Sequence, residues 1–243
     1  MRQWLSGLLV GCALLCPWTM RADCSSSLCE PFFSGLYLGG NAGFVSYTSE
    51  KADLFGLFGF GEMIERNTSW TAGAQMGYDS MWKRALVGLV VDWNWSDAET
   101  RVTNPAAPPN VLIKGRMYWF TTIRSRVGIA MENVLFYITG GAAVADLKSH
   151  IAESTPVPPA FSFENHFQKC RWGWTLGIGS ELVLGRRWSL NADCLYMRFV
   201  SQTVSLTVPS QVSPTTQLPF KFYDEAWSGR ISLNYHFSTS RQM

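Results

Sequence analysis

After its first twenty positions the sequence has no run of eighteen or more apolar residues, which excludes a helical membrane span there. It is also poor in charge, with Lys, Arg, Asp and Glu making up 16% of 243 residues. Its three histidines, His150, His166 and His236, are too few and too scattered for a metal centre, and close cysteine pairs are missing as well, so no metal or cofactor is expected. A basic surplus is lacking too. The formal net charge is +2, and removing residues 1–22 takes away Arg2 and Arg21 and no acid. That leaves 18 charges of each sign, which argues against nucleic acid as a partner.

What the chain has in abundance is aromatic side chains, with 11 Trp, 15 Phe and 8 Tyr, and a two-residue alternation that returns in separate segments. In Ala85 to Ser96 one face reads Ala85, Val87, Leu89, Val91, Trp93, Trp95, and the other Leu86, Gly88, Val90, Asp92, Asn94, Ser96. Successive side chains of a strand point to opposite faces, so this segment has one greasy side and one small or polar side. A greasy side ending in tryptophans, backed by glycines and charges, suits a barrel in lipid with a polar, space-limited interior.

The amino terminus reads as a secretory signal peptide over residues 1–22. Arg2 precedes an apolar stretch from Trp4 to Cys16, then Pro17, with a cleavage site after Ala22. Leu9-Val10-Gly11-Cys12 resembles a lipoprotein cleavage box, although it would leave an unusually short apolar region before it. Residues 23–33 form an N-terminal segment in which Cys24 and Cys29 could close a small loop in an oxidising compartment. Cys170 and Cys194 do not come out opposite each other when a hairpin is centred on Gly185-Arg186. No bond between them is expected.

Residues 34–237 read as eight strands joined alternately by short and long connections: Ser34–Tyr47, Asn67–Asp79, Ala85–Ser96, Gly115–Ala130, Val134–Asp146, Cys170–Leu184, Trp188–Thr203 and Tyr223–Phe237. The long connections are Thr48–Arg66, with its Phe55 to Gly61 glycine and phenylalanine run, Asp97–Lys114, Leu147–Lys169 and Val204–Phe222. The expected fold is all-β, a closed eight-stranded antiparallel up-and-down transmembrane β-barrel. Closure is required because lipid cannot satisfy the backbone groups of a free strand edge. Alternation places Arg116, Tyr118, Arg124 and Arg126 inward on the fourth strand, where unpaired charge could not sit in hydrocarbon. Asp92, Arg124, Arg126, Glu181, Asp193 and Arg230 are expected to form an interior ion-pair network. A barrel of this size is about filled by its own side chains, so such a network plugs the lumen more naturally than it lines a wide channel.

In order along the chain, Gly35-Leu36-Tyr37-Leu38-Gly39-Gly40-Asn41-Ala42-Gly43, Gly73-Ala74-Gln75-Met76-Gly77-Tyr78, Arg124-Ser125-Arg126-Val127-Gly128, Gly173 to Glu181 and Arg230 to Phe237 resemble the eight-stranded outer-membrane barrels of the OmpA-like, opacity-protein and surface-antigen superfamily of Gram-negative bacteria. The resemblance implies an outer-membrane location and insertion by the outer-membrane assembly machinery. That machinery would read Ile231, Leu233, Tyr235 and Phe237 as a C-terminal assembly signal. Residues 238–243 form an extension beyond that terminal aromatic.

Two non-enzymatic readings follow: a structural surface antigen or small porin-like protein with an ion-paired interior, or a loop-mediated adhesin or binding protein whose long connections touch a host or envelope ligand. A lipid-modifying barrel enzyme would need a nucleophilic serine with a histidine and an acid at the lipid-facing rim. His150 and His166 lie in a loop with no neighbouring serine motif and His236 faces inward at the periplasmic end, so catalysis is not expected. A lipocalin-like carrier would need its apolar faces inward, against the outward tryptophans.

Overall fold

The computed structural model describes residues 32–53, 62–104, 110–155, 161–185, 187–208 and 216–237. It describes side chains within 32–50, 66–100, 115–148, 170–185, 187–201 and 223–237. Residues 1–31, which include the expected signal peptide, Cys24 and Cys29, lie outside it, as do 54–61 and 238–243.

The strands are β1 (Gly35–Asp53), β2 (Glu62–Trp82), β3 (Ala85–Asn104), β4 (Asn110–Met131), β5 (Val134–Thr155), β6 (Phe161–Val183), β7 (Trp188–Phe199), β8 (Gln202–Val208) and β9 (Thr216–Phe237). Neighbours pair antiparallel in sequence order, and β1 pairs with β9, so the sheet closes. β8 is a continuation of the β7 stave. It pairs with β9 from Gln202 opposite Phe222, just beyond the β7 contact of Arg198 with Glu225, after a break at Val200 and Ser201. The barrel therefore has eight staves.

Its shear follows from the register. A row leaving β2 at Tyr78 passes Leu89, Ser125, Gly140, Leu176, Tyr196, Trp227 and Ser46 and returns to β2 at Thr68, ten residues away. Eight tilted strands with this stagger enclose a space about as wide as the side chains that fill it.

The alternation sorts the wall. Leu38, Phe44, Trp70, Trp93, Ile138, Trp174 and Ile231 stand outward and exposed, whereas Tyr37, Asn41, Gln75, Asp92 and Asn191 are buried inside. Two features depart from the sequence expectation. The long connections are much shorter than expected, because the strands continue through most of Thr48–Arg66, Asp97–Lys114, Leu147–Lys169 and Val204–Phe222. Secondly, Arg116 and Tyr118 do not face inward. A bulge on β4 between Met117 and Trp119, matched by one on β3 between Trp95 and Ala98, switches the parity. One extra residue in a strand moves everything beyond it to the other face. Met117 takes the interior position, and Arg116 bonds to Asp97 on the outer wall with over a third of its side chain exposed.

Candidate functional site

The six charged residues singled out from the sequence all point into the lumen, from the five strands β3, β4, β6, β7 and β9, and none is more than 6% exposed. They lie in two clusters. In the upper one, Asp92 Oδ2 accepts from Arg124 Nη2 at 2.7 Å and from Thr122 Oγ1 at 2.6 Å, and its Oδ1 accepts from Arg230 Nη1 at 3.1 Å. Arg230 also forks onto Asp193 through Nε at 2.9 Å and Nη2 at 2.8 Å, and Arg124 Nη1 lies 3.6 Å from Asp193. A planar guanidinium presents parallel donors to a carboxylate, which is why arginine suits these closed rings.

The lower cluster is centred on Arg126. Its Nε and Nη2 hold Asp79, its Nη1 donates to Glu181 Oε2 at 2.9 Å, and its guanidinium carbon lies 4.7 Å from the Tyr37 ring centre and 5.3 Å from that of Tyr137. Glu181 Oε1 gathers Ser189 at 2.5 Å, His236 Nε2 at 3.0 Å and Asn234 Nδ2 at 3.2 Å. Asp79, Ser189 and His236 were not among the residues singled out as the network. Asp79 carries a usable signal, since it continues the inward parity of Gln75 and Gly77. Higher in the lumen Arg171 bonds to Asp224, which also accepts from Tyr47.

Apolar clusters close both sides of this polar middle. Towards the long connections lie Val45, Met117, Phe120, Leu147, Met197 and Phe199, all buried. Towards the short turns lie Phe33, Leu86, Ala130, Leu135 and Tyr137, with Phe32 packed against them.

Ser189, His236 and Glu181 are the residue types of a hydrolytic triad, but their geometry is different. In a working triad the serine and the acid occupy opposite ring nitrogens. Here both meet Nε2, at 2.9 and 3.0 Å. The Ser189 hydroxyl proton goes to Glu181, so Nε2 is the donor to both oxygens and cannot act as base for Ser189. All three side chains are buried, with Ser189 at 0% exposure. Among the described residues, no group of three or more His, Cys, Asp or Glu is arranged to hold a metal ion. Cys170 and Cys194 are not joined by a disulfide and stand opposite Asp146 and Ile178 respectively.

The C-terminal residues Ile231, Leu233, Tyr235 and Phe237 share the outer face of β9, where Tyr235 meets Trp188 and Phe237 edge to face and accepts a bond from Arg187.

Residues 25–237 match the family described as outer membrane protein beta-barrel domain. The 31 kDa outer-membrane immunogenic proteins of Brucella melitensis and Brucella suis are each 26% identical over 175 residues, covering 68% of this chain and 70% of theirs. Among solved structures, the outer membrane protease OmpT from Escherichia coli matches with 8% identity and a TM-score of 0.45, over 84% of this chain and 97% of that one. Neisserial surface protein A matches with 8% identity and a TM-score of 0.40, over 84% and 98%. These structural likenesses are too distant to carry a functional argument.

Proposed function

This chain belongs to the outer membrane β-barrel protein family and resides in the bacterial outer membrane, and from that premise we propose that it serves as a non-conducting, non-enzymatic surface antigen scaffold. The observation that carries this reading is the filled lumen: two ion-paired clusters between two apolar ones. Salt bridges of this kind, held by buried arginines, resist the rearrangement that a water-filled pore requires. Strand length supports the display role. A bilayer is crossed by about 9–11 tilted residues. β2, β4, β5 and β6 are 21 to 23 residues long, so they continue well beyond the hydrocarbon and raise the long connections above the surface. The Brucella relatives are named as immunogenic, which fits a wall of this type exposed on a cell. Outer-membrane lipid is then the partner of the aromatic outer face, and the assembly machinery the reader of β9. A host or envelope ligand would meet the long connections.

Single-channel recording in planar bilayers tests the reading, with wild type and Glu181→Ala both shown to be folded by heat-modifiable gel migration. Silence from both is the expected result. Discrete, reproducible openings altered by the substitution would replace the scaffold with a small porin.

A further inference from the structure

The lower apolar cluster is made in part by a segment that belongs to no strand. Phe32 and Phe33 precede β1, yet Phe33 is completely buried and packs with Leu86, Ala130, Leu135 and Tyr137, while Phe32 packs on the same group. Both rings lie against His236: Phe32 at 4.8 Å and Phe33 at 6.3 Å between centres, with Tyr37 at 5.4 Å on the same imidazole. Two further contacts hold the segment. The rings of Phe32 and Phe33 meet edge to face at 5.2 Å, and Ser34 Oγ accepts from the Met81 backbone N–H at 3.3 Å.

The chain reaches this position through Gly35, whose φ of +119° belongs to a region that side chains with a Cβ rarely enter. At that residue the backbone leaves the wall line of β1 and turns under the mouth. The mouth is the end at which the short turns and the first and last paired positions, Leu36 and Phe237, come together. Behind the two rings sit Ser189, His236 and Glu181, a fully buried polar group at this end of the lumen.

We propose that Phe32 and Phe33 are a hinged cork for the periplasmic mouth, with Gly35 as the hinge and His236, Leu86, Leu135 and Tyr137 as the seat. Its work is to exclude water and solutes from the lower charged cluster. It rests on the closed-barrel reading, yet it can fail separately, because the upper apolar cluster blocks conduction whether or not the cork is seated.

Carbethoxylation of His236 by diethyl pyrocarbonate, read by peptide mass spectrometry on the folded barrel in lipid vesicles, tests it. Wild-type His236 should react slower than N-acetylhistidine amide by about tenfold or more, as expected for a group reached only by local opening. Phe32→Ala/Phe33→Ala should recover most of that factor, and Gly35→Ala part of it, with heat-modifiable migration and silence in bilayers unchanged. Phe32→Ala alone, which keeps the buried Phe33, serves if the double variant does not fold, and should recover part of the factor too. His236 reacting freely in wild type, or staying equally protected in the folded variants, would overturn the cork.

Discussion

Arg126 is the most heavily engaged side chain of the lower lumen, held by two carboxylates and two aromatic rings. Glycine makes that arrangement possible. A Cβ at Gly77 would collide with the Tyr37 ring and one at Gly179 with the Tyr137 ring, so the bare backbone at both positions lets the tyrosines lie flat on the wall. Glu181 is the second anchor, accepting from Ser189, Asn234 and His236 and pairing with Arg126. Its removal leaves the Ser189 hydroxyl, the Asn234 amide and half a guanidinium without an acceptor in a closed interior. Glu181→Ala should therefore cost about 3–5 kcal/mol, the usual penalty for breaking a buried pair, while Glu181→Gln, which keeps an acceptor oxygen, should cost less. Urea unfolding in lipid vesicles measures both, and a Glu181→Ala loss of under about 1 kcal/mol would show that the lower cluster contributes little to the fold. At this scale the sequence was informative about which side chains point inward and silent about which partners they choose. Glu181 and Asp193 both face inward by parity, but the strand register decides that the first reaches Arg126 two staves away and the second meets Arg230 directly across the β7–β9 pair.

Among the strands, the tight turns carry the local strain. Lys83 and Glu132 have φ of 57° and 54°, values that suit glycine or asparagine at the first central position of a two-residue hairpin. Trp82 pairs with Ala85 and Met131 with Val134, so each turn has two residues and no slack. Left-handed backbone costs an ordinary residue about 1–2 kcal/mol, partly offset by the entropy that glycine loses. Lys83→Gly and Glu132→Gly should each raise stability by roughly 0.5–1 kcal/mol, and Glu132→Ala should not. Equal unfolding midpoints for Glu132→Gly and Glu132→Ala would remove that strain from the account. The paired bulges near Trp95 and Met117 are the element that sequence periodicity misread. Alternation in β4 runs clean from Ala130 to Phe120, and nothing in residue type announces the extra residue beyond it. Continuing the count by two placed Arg116 and Tyr118 in the lumen, whereas Met117 is the one buried there.

For the whole molecule, the orientation in the membrane follows from its two unlike ends. Outer-membrane barrels keep short turns on the periplasmic side and longer connections outside. An epitope inserted between Ala106 and Ala107 should be reached by antibody on intact cells, and one between Glu132 and Asn133 only after the outer membrane is permeabilised. The opposite pattern, with both proteins heat-modifiable, would invert the barrel. Legible in the sequence were the eight staves, the outward and inward faces of nearly every spanning position, and six of the ion-forming residues of the lumen, though not Asp79, Arg171 or Asp224. These are consequences of a period of two, which is local: each residue's face depends on its neighbours along the strand and on little else. The length of the strands past the membrane was not legible, because the sequence there loses the regular contrast between apolar and polar alternate positions. Nor were the division of the charges into two clusters, the shared Nε2 contact that separates Ser189, His236 and Glu181 from a triad, and the turn at Gly35 that seats Phe33 below His236. Each of these depends on how neighbouring staves are staggered, as where β6, β7 and β9 bring Glu181, Ser189 and His236 together. Outside the β4 bulge the sequence by itself determined which side chains face the lumen; only the tertiary register decided which of them touch, because contact across a lumen depends on the stagger of every stave between them.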